Sequence, residues 1–430
     1  MSQHKVFSPI TCILLFLGFA FYILHLNKTD YWVFANDIAG HLEYIKYIVD
    51  HKALPNAIAC RECFHPPTYY VISAGVYAVA ESSGISPWMA VRCLSLLYYA
   101  VFLYYSIKLL SEWIDWQPAY LTALCLVIFW PLGVSKASLI SNDPMLYMAE
   151  IIGFYFFMRW WRQQIPRDLM IVILWAGMVM AIKLSGILFG LAIVSATAYR
   201  CLRQPSILRM FYQPAFLVVI GIAVLLSLVG TAKNYYFLGI PQSNEQVIIP
   251  HIRSELSESY ALPNDRWYYY ASFDFQTYLN KPFFITNDDS TGRYYFWNTV
   301  LKSALFGEYV WKSPAMALAL AWAQMVMLLY MLASSMFMAW SHRRHYLIPV
   351  LFFVGVHVAG LMIFRILYPL ASAQDYRYIY ACTPLLALLY ANAIDWHHQK
   401  GRPAMACLGI AIALIFSELA ALMIALQNLT

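Results

Sequence analysis

The chain has 430 residues, of which 62% are hydrophobic and only 12% charged; that balance excludes an ordinary soluble globular enzyme and indicates a polytopic, all-α membrane protein. Aromatic residues make up 17%, with 33 tyrosines and 14 tryptophans, more than a core needs and suited to membrane interfaces, where a ring and its polar tip are both satisfied. The formal net charge of +6 comes without a basic tract of five or more residues. It therefore reads as membrane orientation, and nucleic acid is not expected as a partner.

The first apolar span, near 8–26, follows Lys5 and lacks a small-residue cleavage site, so it reads as an uncleaved anchor with its N-terminus inside. The loop after it contains Asn36-Asp37-Ile38-Ala39-Gly40-His41 and then Cys60-Arg61-Glu62-Cys63-Phe64-His65-Pro66-Pro67. A helix from Asp37 puts His41, Tyr44, Ile45 and Ile48 on the same face, polar at its start and apolar along its length. Leu54-Pro55 ends that helix, and His65-Pro66-Pro67 sets a rigid, extended entry into the apolar stretch 68–80. By itself Asp37 reads equally well as a helix cap or as a reactive acid at the bilayer surface. Cys60 and Cys63 read either as metal ligands with Glu62, His65 or His41, or as a disulfide on an external face.

Further apolar runs of spanning length follow near 88–110, 118–136, 143–161, 168–182, 184–200, 213–237, 314–339, 346–369, 376–395 and 404–427, about eleven transmembrane helices in all. The basic connections at Arg159/Arg162/Arg167, Arg200/Arg203/Arg209, Arg343/Arg344 and Lys400/Arg402 fall two spans apart, and the positive-inside rule puts each in the cytoplasm. Parity then makes 27–87 one external loop, in which 68–80 lies along the membrane as a juxtamembrane helix or enters and leaves on one face. A second external loop covers about 239–312, with interfacial helices around Arg266-Trp267-Tyr268-Tyr269-Tyr270 and Phe283-Phe284. The chain thus divides into 1–238, the loop 239–312, and 313–430.

The unusual polar residues gather on the outer side. Asp143 opens a span in Asn142-Asp143-Pro144, where helix capping alone explains an acid. Lys183 interrupts an apolar run, a costly placement that marks a functional candidate, with snorkelling as the alternative. Arg293 and Lys302 stand just before a span, and Asp375-Tyr376-Arg377-Tyr378 opens another. These cations suit a phosphate, as point charge or bidentate fork. No P-loop, dinucleotide fingerprint, zinc-protease helix or nucleophile elbow occurs.

The pieces D-I-A-G-H (Asp37 to His41), H-P-P-T-Y-Y (His65 to Tyr70), V-R-C-L with Arg92, S-N-D with Asp143, K-L-S-G at Lys183, Y-F-W-N-T-V-L-K-S-A-L-F-G-E and D-Y-R-Y resemble the membrane glycosyltransferases of the GT-C fold, in the branch of protein O-mannosyltransferases and bacterial aminoarabinose transferases. Many members carry Asp-Glu where this chain has Asn36-Asp37, which weakens a metal site needing two acids. The resemblance implies inverting transfer of a sugar from a polyprenyl-phosphate carrier to a protein, lipid or glycan acceptor outside a bacterial inner membrane, with a divalent metal as an optional cofactor. It implies Asp37 as the base, Lys183, Lys302, Arg293 and Arg377 on the phosphate, and Asp143 and His65 positioning substrate or cations, with His41 and Arg92 in support. A secondary transporter is the rival from another class, but transporters favour midplane charges and inverted repeats, and none is evident. A ligase or polymerase using a diphosphate-linked glycan is the second enzyme reading.

Overall fold

A computed structural model describes residues 8–239, 260–339 and 347–429, together with Val247 and Pro250, and the side chains of all these except 335–339. Lys5, Arg343, Arg344 and most of 240–259 lie outside the described residues. Helices account for all the regular structure among the described residues, apart from an isolated bridge between Ala261 and Leu370.

Proline sets most helix starts. It occupies the first or second position of α1 (Pro9–Lys28), α4 (Pro87–Trp113), α5 (Gln117–Ile128), α6 (Pro131–Ala137), α7 (Asp143–Gln163), α8 (Pro166–Ile182), α10 (Pro214–Ser227), α15 (Ile348–Leu367) and α16 (Thr383–Gln399). Its fixed φ suits a first turn and its missing N–H costs nothing there. The intervening helices are α2 (Ile38–His51), α3 (Thr68–Ser82), α9 (Ile187–Arg203) and α11 (Val229–Leu238), then α12 (Phe275–Asn280), α13 (Phe296–Phe306), α14 (Pro314–Ala339) and α17 (Pro403–Leu429).

All eleven expected spans are helical, but they do not all cross as single straight rods. Six helical segments are long and apolar enough to cross a bilayer: Pro9–Lys28, Pro87–Trp113, Leu184–Arg203, Pro314–Ser334, Ile348–Leu367 and Pro403–Leu429. Counting two bent pairs gives up to eight. The run 118–136 is broken at Trp130-Pro131, where α5 and α6 meet at 52°. The run 213–237 divides at Leu228 into α10 and α11. Helices α7, α8 and α16 are too short or too polar to count, and α7 and α16 are buried along most of their length. Outward-facing Phe16, Leu225, Leu332 and Ile366 present the apolar surface that lipid requires. The chain is an integral membrane protein.

Segment 68–80 is helical as α3 and packs between α2 and α4. The chain's two ends share one core: α1 lies against α17, with His25 Nδ1 3.0 Å from Asn428 Oδ1 and the Thr29 hydroxyl donating to the same oxygen at 3.2 Å. Helix α5 packs on both α16 and α17. Stretches far apart in sequence therefore pack into one core.

Candidate active site

Asp37 does not cap its helix. It precedes α2 in the left-handed region, at φ 54°, and its carboxylate makes no bond to the helix N–H groups. That backbone is uncommon for a side chain other than glycine, though Asp and Asn tolerate it best. It turns the carboxylate sideways between two guanidinium groups: Arg61 Nη2 lies 3.1 Å from Oδ1, and Arg377 Nη2 lies 3.2 Å from Oδ2. The Asp37 side chain keeps 27% exposure. Burial alone would raise its pKa, but the charges of Arg377 and Arg61 hold the carboxyl below the usual value.

Arg377 comes from the short 3-10 segment Tyr376–Cys382 that enters α16. Asp375 caps that segment, accepting from the Arg377 backbone N–H at 3.0 Å, and its carboxylate also stands 3.6 Å from Arg377 Nε. The late D-Y-R-Y motif is therefore both an internal salt bridge and a link to Asp37. The guanidinium also donates to the Tyr378 hydroxyl at 3.0 Å and sits over that ring at 4.9 Å. Lys183 approaches the same ring at 5.4 Å, so the Tyr378 ring contacts two cations from distant parts of the chain.

Lys183 stands in the break between α8 and the 3-10 turn Leu184–Gly186, not inside a continuous helix. Its ammonium donates to Asp143 Oδ1 at 2.6 Å. Asp143, in the first turn of α7, is spent on this pair as well as on the helix dipole, and both partners are buried. The two residues expected only as a cap and a snorkelling cation in the bland reading form one ion pair next to Arg377.

On the other side of Asp37, Glu62 Oε2 lies 2.8 Å from His65 Nε2, and His41 Nδ1 lies 2.8 Å from the Tyr70 hydroxyl. The rings of His41 and His65 are parallel, 6.4 Å apart. Burial, reinforced by the charge of Asp37, pushes the Glu62 carboxyl up to about 7. Burial lowers His41 to about 4 and, with Lys183 nearby, His65 to about 3, so both histidines are neutral near pH 7. Gly40 allows this packing: a Cβ there would stand 2.6 Å from Glu62 Cγ and 2.9 Å from its backbone nitrogen.

Cys60 and Cys63 form a disulfide, which removes both sulfurs from the metal reading. Among the described residues no three His, Cys, Asp or Glu side chains are placed to hold a metal ion, and Glu62 and His65 already bond each other. The donor set does not fit a metal, and no step is assigned to one.

Three expected cations bind elsewhere. Lys302 donates to the carbonyls of Thr291 (2.8 Å) and Thr277 (3.3 Å). Arg293 pairs with Asp289 at 2.5 Å and donates to the Thr286 carbonyl at 2.6 Å. Both knit the second loop together. Arg92 reaches the Ser138 carbonyl and hydroxyl, at 3.4 and 3.5 Å.

Sequence reasoning passed over four groups in or beside the cluster. Lys136, fully buried at the end of α6, donates to Asn36 Oδ1 at 2.5 Å and the Phe34 carbonyl at 3.3 Å. Lys233 in α11 donates to the carbonyls of Cys63 and His65 (3.0 Å) and to the Tyr44 hydroxyl (3.1 Å), bracing the loop that carries His65. Both interrupt apolar runs, the signal that singled out Lys183. Arg61 and Glu308 stand inside motifs already noted and gave no separate signal.

No protein-family model matches the chain, and no curated protein does. Among solved structures, it is similar to ArnT from Cupriavidus metallidurans in the apo state, at 13% identity and a TM-score of 0.45, over 97% of this chain and 76% of that one. It is also similar to the same protein bound to undecaprenyl phosphate, at 14% identity and a TM-score of 0.46, over 97% of this chain and 77% of that one. Likenesses this remote leave the function to be argued from the site.

Proposed function

We propose that the chain is an inverting glycosyltransferase of the GT-C type, moving a hexosyl or pentosyl group from a polyprenyl-phosphate carrier to a protein, lipid or glycan acceptor. The reaction is placed at the periplasmic face of a bacterial inner membrane. The observation that carries this reading is the Asp37 carboxylate held between Arg61 and Arg377, with the Lys183–Asp143 pair beside it, where α7 begins, α8 ends and the 3-10 segment leads into α16. A lipid-borne phosphate presents its charge at that depth. Guanidinium groups match phosphate oxygens geometrically, and preorganised cations in a poorly solvated site stabilise the charge that grows on a leaving phosphate.

In this mechanism the carrier phosphate engages Arg377 and Lys183, with Asp375 and Asp143 holding those cations in place. Engagement draws Arg377's charge away from Asp37 and so raises the basicity of that carboxylate as the donor arrives. Asp37 accepts the hydrogen bond of the acceptor hydroxyl on the face opposite the leaving phosphate. The oxygen attacks the anomeric carbon with inversion. Neutral His41 and His65, with Glu62, line the sugar's side of the chamber as hydrogen-bonding groups.

The test is native mass spectrometry of the protein purified in mild detergent, with and without added undecaprenyl phosphate, followed by transfer from a polyprenyl-phosphate sugar to membrane extract. A bound polyprenyl phosphate and transfer of its sugar support the reading. A diphosphate-linked glycan bound instead moves the assignment to a ligase. Only bulk phospholipid, together with solute uptake by reconstituted protein, overturns it in favour of a transporter.

A further inference from the structure

One carboxylate beside this cluster, that of Glu308, has no part in the scheme above. Gly307, at φ +63°, ends α13 and turns the chain back so that Glu308 meets Asn36. The Asn36 side chain donates to Glu308 Oε2 at 3.4 Å and accepts from Lys136 Nζ at 2.5 Å. One amide therefore joins Glu308 to a buried cation, immediately before Asp37 in the chain. The other oxygen, Oε1, is sealed from solvent and has no hydrogen-bond partner.

The groups acting on Glu308 are Asp375, Arg377, Asp37 and Lys136, with Tyr309 and Tyr378 beside them. Burial first, and the negative charge of Asp375 second, push its carboxyl up to about 7. A sealed carboxylate oxygen without a donor is costly when charged; taking up a proton relieves it. Asp37 is the opposite case. Its two arginines favour the ionised form, so it orients an acceptor hydroxyl well and retains a proton badly. Efficient proton transfer calls for a group whose pKa lies near the working pH.

We infer that Glu308 is the carboxylate that holds the acceptor's proton once the sugar has moved, with Asp37 as the group that orients the hydroxyl and passes the proton on. The inference rests on the transferase reading. In the step, the acceptor O–H bond breaks and its oxygen bonds to the anomeric carbon. The bond from that carbon to the carrier's phosphate oxygen breaks, and its electron pair leaves with the phosphate. The proton passes through Asp37 to Glu308, which becomes a neutral acid and later returns it through the partly exposed Asp37 to outside water.

The experiment is the pH dependence of kcat and of KM for the polyprenyl-phosphate sugar in wild type, Glu308→Gln and Glu308→Asp, with pH-dependent infrared spectra of the same proteins. In the expected result, wild-type kcat rises with pH through about 7, E308Q loses at least about tenfold in kcat and loses that inflection, KM stays unchanged, and E308D restores an inflection. The carbonyl band of a protonated acid titrating in the same range disappears in E308Q. An E308Q enzyme with the wild-type pH profile, or a band that vanishes in Glu62→Gln instead, overturns the role of Glu308 and leaves the transferase reading standing. A wild type that transfers no sugar removes that reading, and this inference with it.

Discussion

Replacing Asp37 by asparagine keeps the shape of the side chain and removes the charge between Arg61 and Arg377. Two effects of opposite sign follow. Loss of a positioned proton acceptor costs about 10² to 10⁴ in turnover. At the same time the carrier phosphate no longer competes with a carboxylate for Arg377. A phosphate about 5 Å from the former charge is relieved of about 3 kcal/mol of repulsion at an effective dielectric of about 20. Asp37 keeps 27% exposure, and solvent reduces that figure to about 1.4 kcal/mol, or a tenfold tightening of carrier binding. Folding suffers little, because the guanidinium of Arg377 retains Asp375 at 3.6 Å and Arg61 is partly solvated. The assay is titration of undecaprenyl phosphate into nanodisc-embedded wild type and D37N, with sugar transfer measured on the same samples. Equal transfer in D37N would falsify the central role of Asp37; weaker carrier binding would refute the idea that Asp37 and phosphate share Arg377.

Lys183→Met leaves Asp143 buried without its partner and is expected to lower unfolding stability by about 3 kcal/mol and abolish carrier binding; K183M with Asp143→Asn recovers stability but not binding, and additive losses in thermal melts would sink the pairing argument. The Glu62 carboxyl, raised to about 7, contributes stability that is complete below the ordinary glutamate value of 4.5 and is lost as pH rises through about 7. Its contribution to that decline is on the order of 3 kcal/mol, so Glu62→Gln flattens the melting temperature between pH 5 and 8 and melts above wild type at the alkaline end; an unchanged slope counts against the buried acid. His41 and His65, lowered to about 4 and about 3, act in the other direction, their stability growing as pH rises toward 6.5. Removing the Cys60–Cys63 disulfide with Cys60→Ser and Cys63→Ser is expected to cost about 2 kcal/mol for so short a loop, and more in turnover than in stability, because Arg61 and Glu62 lie between the cysteines; full activity in the double variant would separate the disulfide from the site.

The sequence by itself determined the class of structure. Apolar runs of spanning length can satisfy their backbone only as helices in lipid, proline starts most of them, and the basic connections put Asp37, Asp143, Lys183 and Arg377 on one face. All of that is local composition and spacing. What one face contains was legible; which members of it touch was not. Arg377 and Asp37 are 340 positions apart in the chain, and whether a cation there meets an acid or a loop carbonyl depends on how the 3-10 segment before α16 docks against α7. Lys302 and Arg293 carry the same sequence signal as Lys183 and Arg377, yet the second loop folds onto them and consumes their donors. The break at Trp130-Pro131 has a local cause in the proline that starts α6, yet hydropathy reads the run as one continuous span. Glu308 shows the limit most plainly: nothing in G-E at the end of an aromatic stretch announces an acid with one oxygen sealed from solvent, and only the turn at Gly307, bringing it against Asn36, gives it the surroundings that raise its affinity for a proton.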